Sequence, residues 1–287
     1  MATTIFLVNP RKGAVTPPSY LLDTYSAAAA YSLRQLKTGV TSVVRVRRSS
    51  DNRESDFTAT EITDGTLTGF CGGGDGFVVE WVDQSGNGNN VTQSTASNQP
   101  RLVASGVVQL LPDSGTSRNS ISFGVASIQR LERTALSLMN NGNDFSIFSV
   151  ASGTNGTVHA IVSTENTTSV SRFVQLTGQA ASGALAQIHN GTTGVNVTIG
   201  SNLATSSYQF TTIVDGTGQS VDCYYDGNGA YTNTWTGSYN NNTFSLGLDR
   251  DNDWEVGTLA EVIVFNSDQS TNRTAIESDI NTYYSIY

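Results

Sequence analysis

The sequence predicts an all-β protein built as one antiparallel sandwich. Three observations carry that expectation. Short apolar runs recur between Val43 and Phe265, and most close on Gly, Asn or Asp at regular spacing. The run "VVRVRR" alternates Val44 and Val46 against Arg45 and Arg47, the period of a half-buried strand. The turn "YYDGNG" at 224–229 carries Asp-Gly, a strong hairpin signal. A chain of 287 residues is ordinary for one large sandwich and can bury a substantial core.

Taken in order, residues 1–18 read as an arm. An apolar patch, Ile5 to Val8, is followed by Arg11, Lys12 and the stiff pair Pro17-Pro18. An exposed strand-capable patch recruits other chains, so the arm is expected to dock on neighbouring subunits. Residues 19–287 are expected to close one self-sufficient domain, with a homo-oligomer, a trimer, as the assembly. Residues 19–37 carry a helix signal in Ala27 to Ala30, with Tyr31, Leu33 and Leu36 as its apolar side. Strand runs follow at 44–48, 77–82, 121–123, 145–152 and 158–163, and continue to "LAEVIVF" at 259–265. Between them "FCGGGDGF" at 70–77 reads as a bend between strands. It lacks the Lys-Ser/Thr of a phosphate-binding loop. The end, from Ser267, reads as a helix capped by Ser267 or Asp268. Ala275, Ile276, Ile280 and Tyr283 or Tyr284 form its apolar face.

Charge narrows the functions. The net charge is −9. Up to Arg133 there are 12 basic and 11 acidic residues, and beyond it 3 and 13. An acidic C-terminal half argues against nucleic acid, which needs cations against its phosphates. Only Lys12 and Lys37 among the 15 basic residues are lysines, which favours fixed, planar arginine pairs. Two distant cysteines, Cys71 and Cys223, make no disulfide framework and no zinc motif, and both are expected to be free thiols. "DRDNDWE" at 249–255 resembles the start of a calcium loop but has Trp254 where that loop needs Gly. No metal or other cofactor is expected. Basic residues follow, rather than precede, the first apolar stretch, which is the wrong order for a signal peptide. No run approaches a membrane span, so no membrane insertion is expected.

The stretch "EWVDQSGNGNNVTQ" at 80–93 places one carboxylate, Asp83, among Gly, Asn and Ser. Such a turn either shapes a ligand site or holds a corner. The structural reading is preferred: Arg45, Arg47 and Arg48 on a strand need partners, and Asp51 and Asp83 can supply them. Gln84 and Gln93 would complete that polar network.

Three stretches, 27–51, 70–93 and 246–265, together resemble the catalytic domain of fungal α-L-arabinofuranosidase B enzymes. They are still more similar to laminin-G-like jelly-roll proteins of tailed bacteriophages. The resemblance implies a concanavalin-like (laminin-G-like) jelly-roll β-sandwich with short peripheral helices. It also implies two carboxylates flanking a glycosidic bond. One would fall at Asp251, beside Asn252. The other aligns with His189, and histidine cannot form a glycosyl ester as glutamate does. The family's paired cysteines match Cys71 and, in place of the second, Gly76. These departures point away from hydrolysis. The implied function is a non-enzymatic bacteriophage virion protein, a capsid decoration, tail or fibre component made in the host cytoplasm. It would contact other virion proteins through the arm. Host surface glycans are its expected ligands, through His189, Tyr239, Asp251 and Trp254. The alternative is a glycoside hydrolase of arabinofuranosidase type or a phage depolymerase, using carboxylates among Glu165, Asp215, Asp222, Glu255 and Glu261.

Overall fold

The computed structural model describes residues 19–112, 116–124, 129–134, 136, 138–139, 142–153, 159–166, 169–179, 183–190, 194–198, 207–237, 243–247 and 257–287. The expected arm, residues 1–18, lies outside them. Two antiparallel sheets form the expected jelly-roll sandwich. The front sheet begins with Glu54–Phe57, Val44–Arg48, Gly76–Trp81, Val91–Thr92 and Leu131–Thr134. It continues through Thr243–Leu246, His159–Asn166, Ser169–Gln179, Gly183–Asn190 and Gly194–Thr198. The back sheet runs Ala29–Ser32, Gly257–Phe265, Phe145–Gly153, Ser207–Asp215, Ser220–Tyr225 and Tyr231–Thr234. Arg101–Ala104 pairs with Gly76–Trp81 and Ile121–Phe123, and the latter pairs with Gly257–Phe265, so the sheets join along one side.

The main core lies between the sheets. Val44, Val46, Trp81, Leu131 and Phe244 meet Ile147, Phe210, Val262 and Val264 there. A second apolar layer packs the other face of the back sheet, Phe148, Val150, Ile263 and Phe265, under the helix Arg273–Tyr284 through Ile276, Ile280 and Tyr284. Burial on both faces explains why "FSIFSVAS" and "LAEVIVF" do not alternate while "VVRVRR" does. The Asp-Gly turn forms as expected. Asp226 and Gly227 both take positive φ, 47° and 70°, and Asn228 N–H donates to the Tyr225 carbonyl at 2.9 Å.

Several expectations are corrected. Residues 19–37 are not one helix: only Leu21–Thr24 is helical, and Ala29–Ser32 is a fully buried strand paired with Gly257–Phe265. Tertiary pairing overrides the helix propensity of alanine. The C-terminal helix starts at Arg273, not after Ser267 or Asp268. Asp268 instead accepts the Ser270 N–H at 2.7 Å, closing a turn ahead of the helix. Ala275 is exposed, and Glu277 is buried on that helix instead. The glycine run does not join two strands. A helix, Thr66–Cys71, ends in it at Gly72 (φ +62°), and the strand Gly76–Trp81 follows. One further helix, Ala59–Thr63, carries a readable signal in its Thr58–Glu61 capping box.

Candidate functional site

The Asp83 loop is a corner, and its geometry shows why. Asp83 is 6 % exposed and accepts four hydrogen bonds. Ala30 N–H and Ser85 N–H donate to Oδ1 at 2.9 Å, while Ser85 Oγ and Asn89 N–H donate to Oδ2 at 2.7 and 2.9 Å. Gln84 accepts from Leu36 N–H and donates to the Ser32 and Arg34 carbonyls. Asn87 and Asn89 donate to the carbonyls of Ala27 and Ala28. The loop's side chains thus stand in for a missing neighbour strand along the edge of Ala29–Ser32, an edge that would otherwise recruit other chains. Gly86 and Gly88 hold positive φ, 94° and 72°, where a side chain would strain the turn. Tyr31 packs beneath and donates to the Asn89 carbonyl. Burial, and then the Asp83 charge, push its phenol well above the ordinary range.

The arginine set is divided differently from the expectation, because none of Arg45, Arg47 and Arg48 reaches Asp83. Arg45 forks onto Asp56 at 2.7 and 3.1 Å. Arg47 donates to Gln99 and Asn52, both at 2.7 Å, and lies over the Phe77 ring. Arg48 and Asp51 form the expected pair, with two bonds of 2.7 Å. Arg48's hydrogen bonds hold the Asp51 carboxyl well below its usual range. Gln93 bonds the Arg130 carbonyl and Thr95 N–H rather than an arginine side chain. Asp83 lies on the other side of the corner, satisfied by neutral donors, so it has no need of a cation.

The buried ion pair joins residues more than two hundred positions apart. Arg34 forks onto Glu261 at 2.8 and 2.9 Å and reaches Asp279 at 2.8 Å. Ser32 Oγ and Tyr284 Oη complete the Glu261 site at 2.8 and 3.3 Å. Burial alone would lower the pKa of Arg34, but the Glu261 carboxylate raises it above its ordinary value. Glu261 is fully buried and tied up there, so it cannot serve as a surface acid.

The exposed chemistry lies on the outer face of the front sheet. Strand register aligns one residue from each of seven strands across it: Asp56, Arg45, Glu80, Thr92, Glu132, Ser245 and Ser163. All seven are polar. Ser245 and Ser163 are buried, whereas the Glu80–Glu132 stretch opens into a cleft of about 520 Å³. Asn90, Gln93, Ser94, Arg133 and Thr134 also line it. Asn90 Nδ2 donates to Glu80 Oε1 at 2.9 Å, and Arg130 Nε to Glu132 Oε2 at 2.7 Å. Neither glutamate was singled out in the sequence, because each is a lone carboxylate inside a strand-like run.

Of the sequence candidates, His189 falls on the strand Gly183–Asn190, opposite Arg172 in register. Tyr239, Asp251 and Trp254, and with them Glu255, lie outside the described residues. Glu165 pairs in register with Thr243 on the front sheet. Asp215 and Asp222 belong to the back sheet, where Gly218 N–H and Thr232 Oγ1 donate to them. Cys71 and Cys223 are buried and unbridged. A Cβ at Gly76 would lie 2.8 Å from Cys71 Sγ, so those two positions do meet. Among the described residues no group of three His, Cys, Asp or Glu could hold a metal, and no helix is long and apolar enough to cross a membrane.

No protein-family model and no curated protein matches the chain. Solved structures do match in fold. One is a GH54 α-L-arabinofuranosidase variant soaked with 4-nitrophenyl α-L-arabinofuranoside, with a TM-score of 0.70 at 14 % identity. Another is an arabinofuranosidase complexed with arabinofuranosyl-α-1,2-xylobiose, with a TM-score of 0.66 at 16 % identity. Each comparison covers 90 % of this chain and 63 % of the other. A third is the binding domain of Paraclostridial Mosquitocidal Protein 1, with a TM-score of 0.50 at 13 % identity, covering 71 % of this chain and 49 % of that one. The chain therefore has the arabinofuranosidase type of β-sandwich and spans under two thirds of those enzymes' length. At such identities the likeness is one of fold.

Proposed function

We propose that the chain is a carbohydrate-recognition module whose outer front-sheet face holds a glycan without cleaving it. The observation that supports this most is the polar row across seven strands, opening at Glu80 and Glu132 into a cleft of about 520 Å³. That volume is in the range of small-ligand sites. Glu80 and Glu132 lie on strands separated by one other strand, and each is held by its own donor, Asn90 and Arg130. The histidine at position 189 also favours binding over hydrolysis. A glycan array followed by product analysis tests the reading. Retention of oligosaccharides with no release of sugar supports it, and absence of any glycan ligand contradicts it.

The second reading, a hydrolase of arabinofuranosidase type or a depolymerase, is favoured by the fold likeness to arabinofuranosidases. Turnover of a chromogenic α-L-arabinofuranoside would establish it. Display on a bacteriophage particle is the finer proposal and rests on the sequence resemblance. In it, residues 1–18 bind other virion proteins and the module forms a homotrimer. Mass spectrometry of purified particles should then find this chain. Deleting residues 1–18 should abolish its incorporation and leave its melting unchanged.

A further inference from the structure

We infer that Asn228, in the turn between Ser220–Tyr225 and Tyr231–Thr234, is a site of spontaneous deamidation through a cyclic imide with Gly229, and that the fold protects Asn87 from the same reaction. The inference is independent of the glycan-binding reading, because this turn belongs to the back sheet. Two Asn-Gly steps lie wholly within the described residues, Asn87-Gly88 in the corner loop and Asn228-Gly229 in the hairpin.

The reaction needs only water and hydroxide. The Gly229 amide nitrogen, having lost its proton to hydroxide, attacks Asn228 Cγ. A C–N bond forms, the Cγ–Nδ2 bond breaks, and Nδ2 leaves as ammonia with a proton taken from water. Water then opens the five-membered imide at either carbonyl. One opening gives aspartate, and the other gives isoaspartate, in which the main chain runs through Cγ. Each product carries one new negative charge. Two conditions govern the first step. The asparagine amide must be free to turn onto the following nitrogen, and the following residue must leave room, as glycine does by having no Cβ.

Both asparagines are exposed, so access to water does not separate them. Their hydrogen bonds do. Asn87 Nδ2 donates to the Ala27 and Ala28 carbonyls, both at 3.1 Å, and its N–H donates to Ser85 Oγ at 3.1 Å. Closing an imide there would first break both side-chain bonds to the neighbouring segment. Asn228 Nδ2 donates only to the Asp226 carbonyl among the described residues, at 3.3 Å, beyond the usual N–H···O range. The Gly229 N–H makes no hydrogen bond among the described residues, and a Cβ at Gly229 would meet nothing within 4 Å. The adjoining Asp226-Gly227 step is closed to the same ring. Asp226 Oδ1 accepts the Gln209 N–H at 2.9 Å, and the Tyr287 ring lies 2.8 Å from the place a Gly227 Cβ would take. Conversion of Asn228 therefore sets a new anion two residues from Asp226, in the acidic half of the chain.

The full chain, folded, is held at mildly alkaline pH in water enriched in heavy oxygen, and peptides spanning Asn87 and Asn228 are followed by mass spectrometry. Loss of ammonia with uptake of heavy oxygen marks the reaction and dates it to the incubation. Asn228 should convert at least about tenfold faster than Asn87, the factor imposed by first breaking the bonds that hold Asn87. In denaturant the two rates should converge, because the protection lies in the fold. Gly229→Ala, which fits the open space at that position, should keep the wild-type melt and slow conversion of Asn228 severalfold. Equal rates at Asn87 and Asn228 in the folded protein overturn the inference. So does a folded Asn228 that stays intact while the denatured one converts, or a Gly229→Ala protein that converts at the wild-type rate. Each of these results leaves the glycan reading standing.

Discussion

At Asp83 a single carboxylate gathers four donors from two chain segments more than fifty residues apart. Asp83→Ala strands the buried N–H groups of Ala30 and Ser85, each costing about 1–3 kcal/mol, and the half-buried one of Asn89. A loss of at least about 3 kcal/mol is expected in urea unfolding, and a wild-type midpoint would show that the donors find water instead. A second carboxylate behaves in the opposite way. Asp226 sits in the Asp-Gly turn, where burial raises its pKa from 3.8 to about 6 despite the Gln209 N–H at 2.9 Å. A raised folded pKa means stability that is present at low pH and lost as pH rises through that value. The wild type should therefore lose stability between about pH 4 and 6 relative to Asp226→Asn. Asparagine tolerates the positive φ there and keeps an acceptor for Gln209. Above pH 7 the variant should be more stable by on the order of 1–2 kcal/mol, after discounting for partial exposure. Parallel pH profiles of the two proteins would remove Asp226 as the cause. Both residues are legible in sequence as turn carboxylates, but the partners that give them opposite behaviour lie far along the chain.

The element that most repays attention is the short strand Ala29–Ser32 with the segment that follows it. Its alanines read as helix because propensity is local, whereas its pairing partner, Gly257–Phe265, is more than two hundred residues away. Just beyond it, Arg34 joins Glu261 on that partner strand to Asp279 on the C-terminal helix, under the rings of Tyr283 and Tyr284. Removing one member of a buried pair leaves an uncompensated charge and costs about 3–5 kcal/mol. Arg34→Met or Glu261→Met alone should destabilise by that much. The double variant should cost clearly less than the two singles together, because neither charge is then left alone. Additive losses in a double-mutant cycle would contradict the pairing. Elements with a local signature were readable. The alternation of Val44–Arg48, the doubly buried runs and the Asp-Gly hairpin each state their environment in their own residues. The capping box at Thr58 and Glu61 was equally readable and went unread.

For the molecule as a whole, the sandwich was legible because strand rhythm and burial pattern repeat throughout the chain. The candidate site was not, because it is a property of register. Glu80, Thr92 and Glu132 are unremarkable alone and become a site only when three strands align them. The arginine network was legible only in its local pair, Arg48 with Asp51, because strand register supplies Arg45 with Asp56 and neutral donors occupy Asp83. The central claim is that the outer front-sheet face binds a glycan and leaves it intact. Backbone chemical-shift mapping of the full chain, titrated with the tightest-binding oligosaccharide from the array, tests it most directly. The expected result is perturbation confined to Gly76–Trp81, Val91–Thr92, Leu131–Thr134 and their front-sheet neighbours, with the oligosaccharide recovered whole. Perturbation centred on the back sheet or the C-terminal helix, or recovery of cleaved sugar, would contradict it.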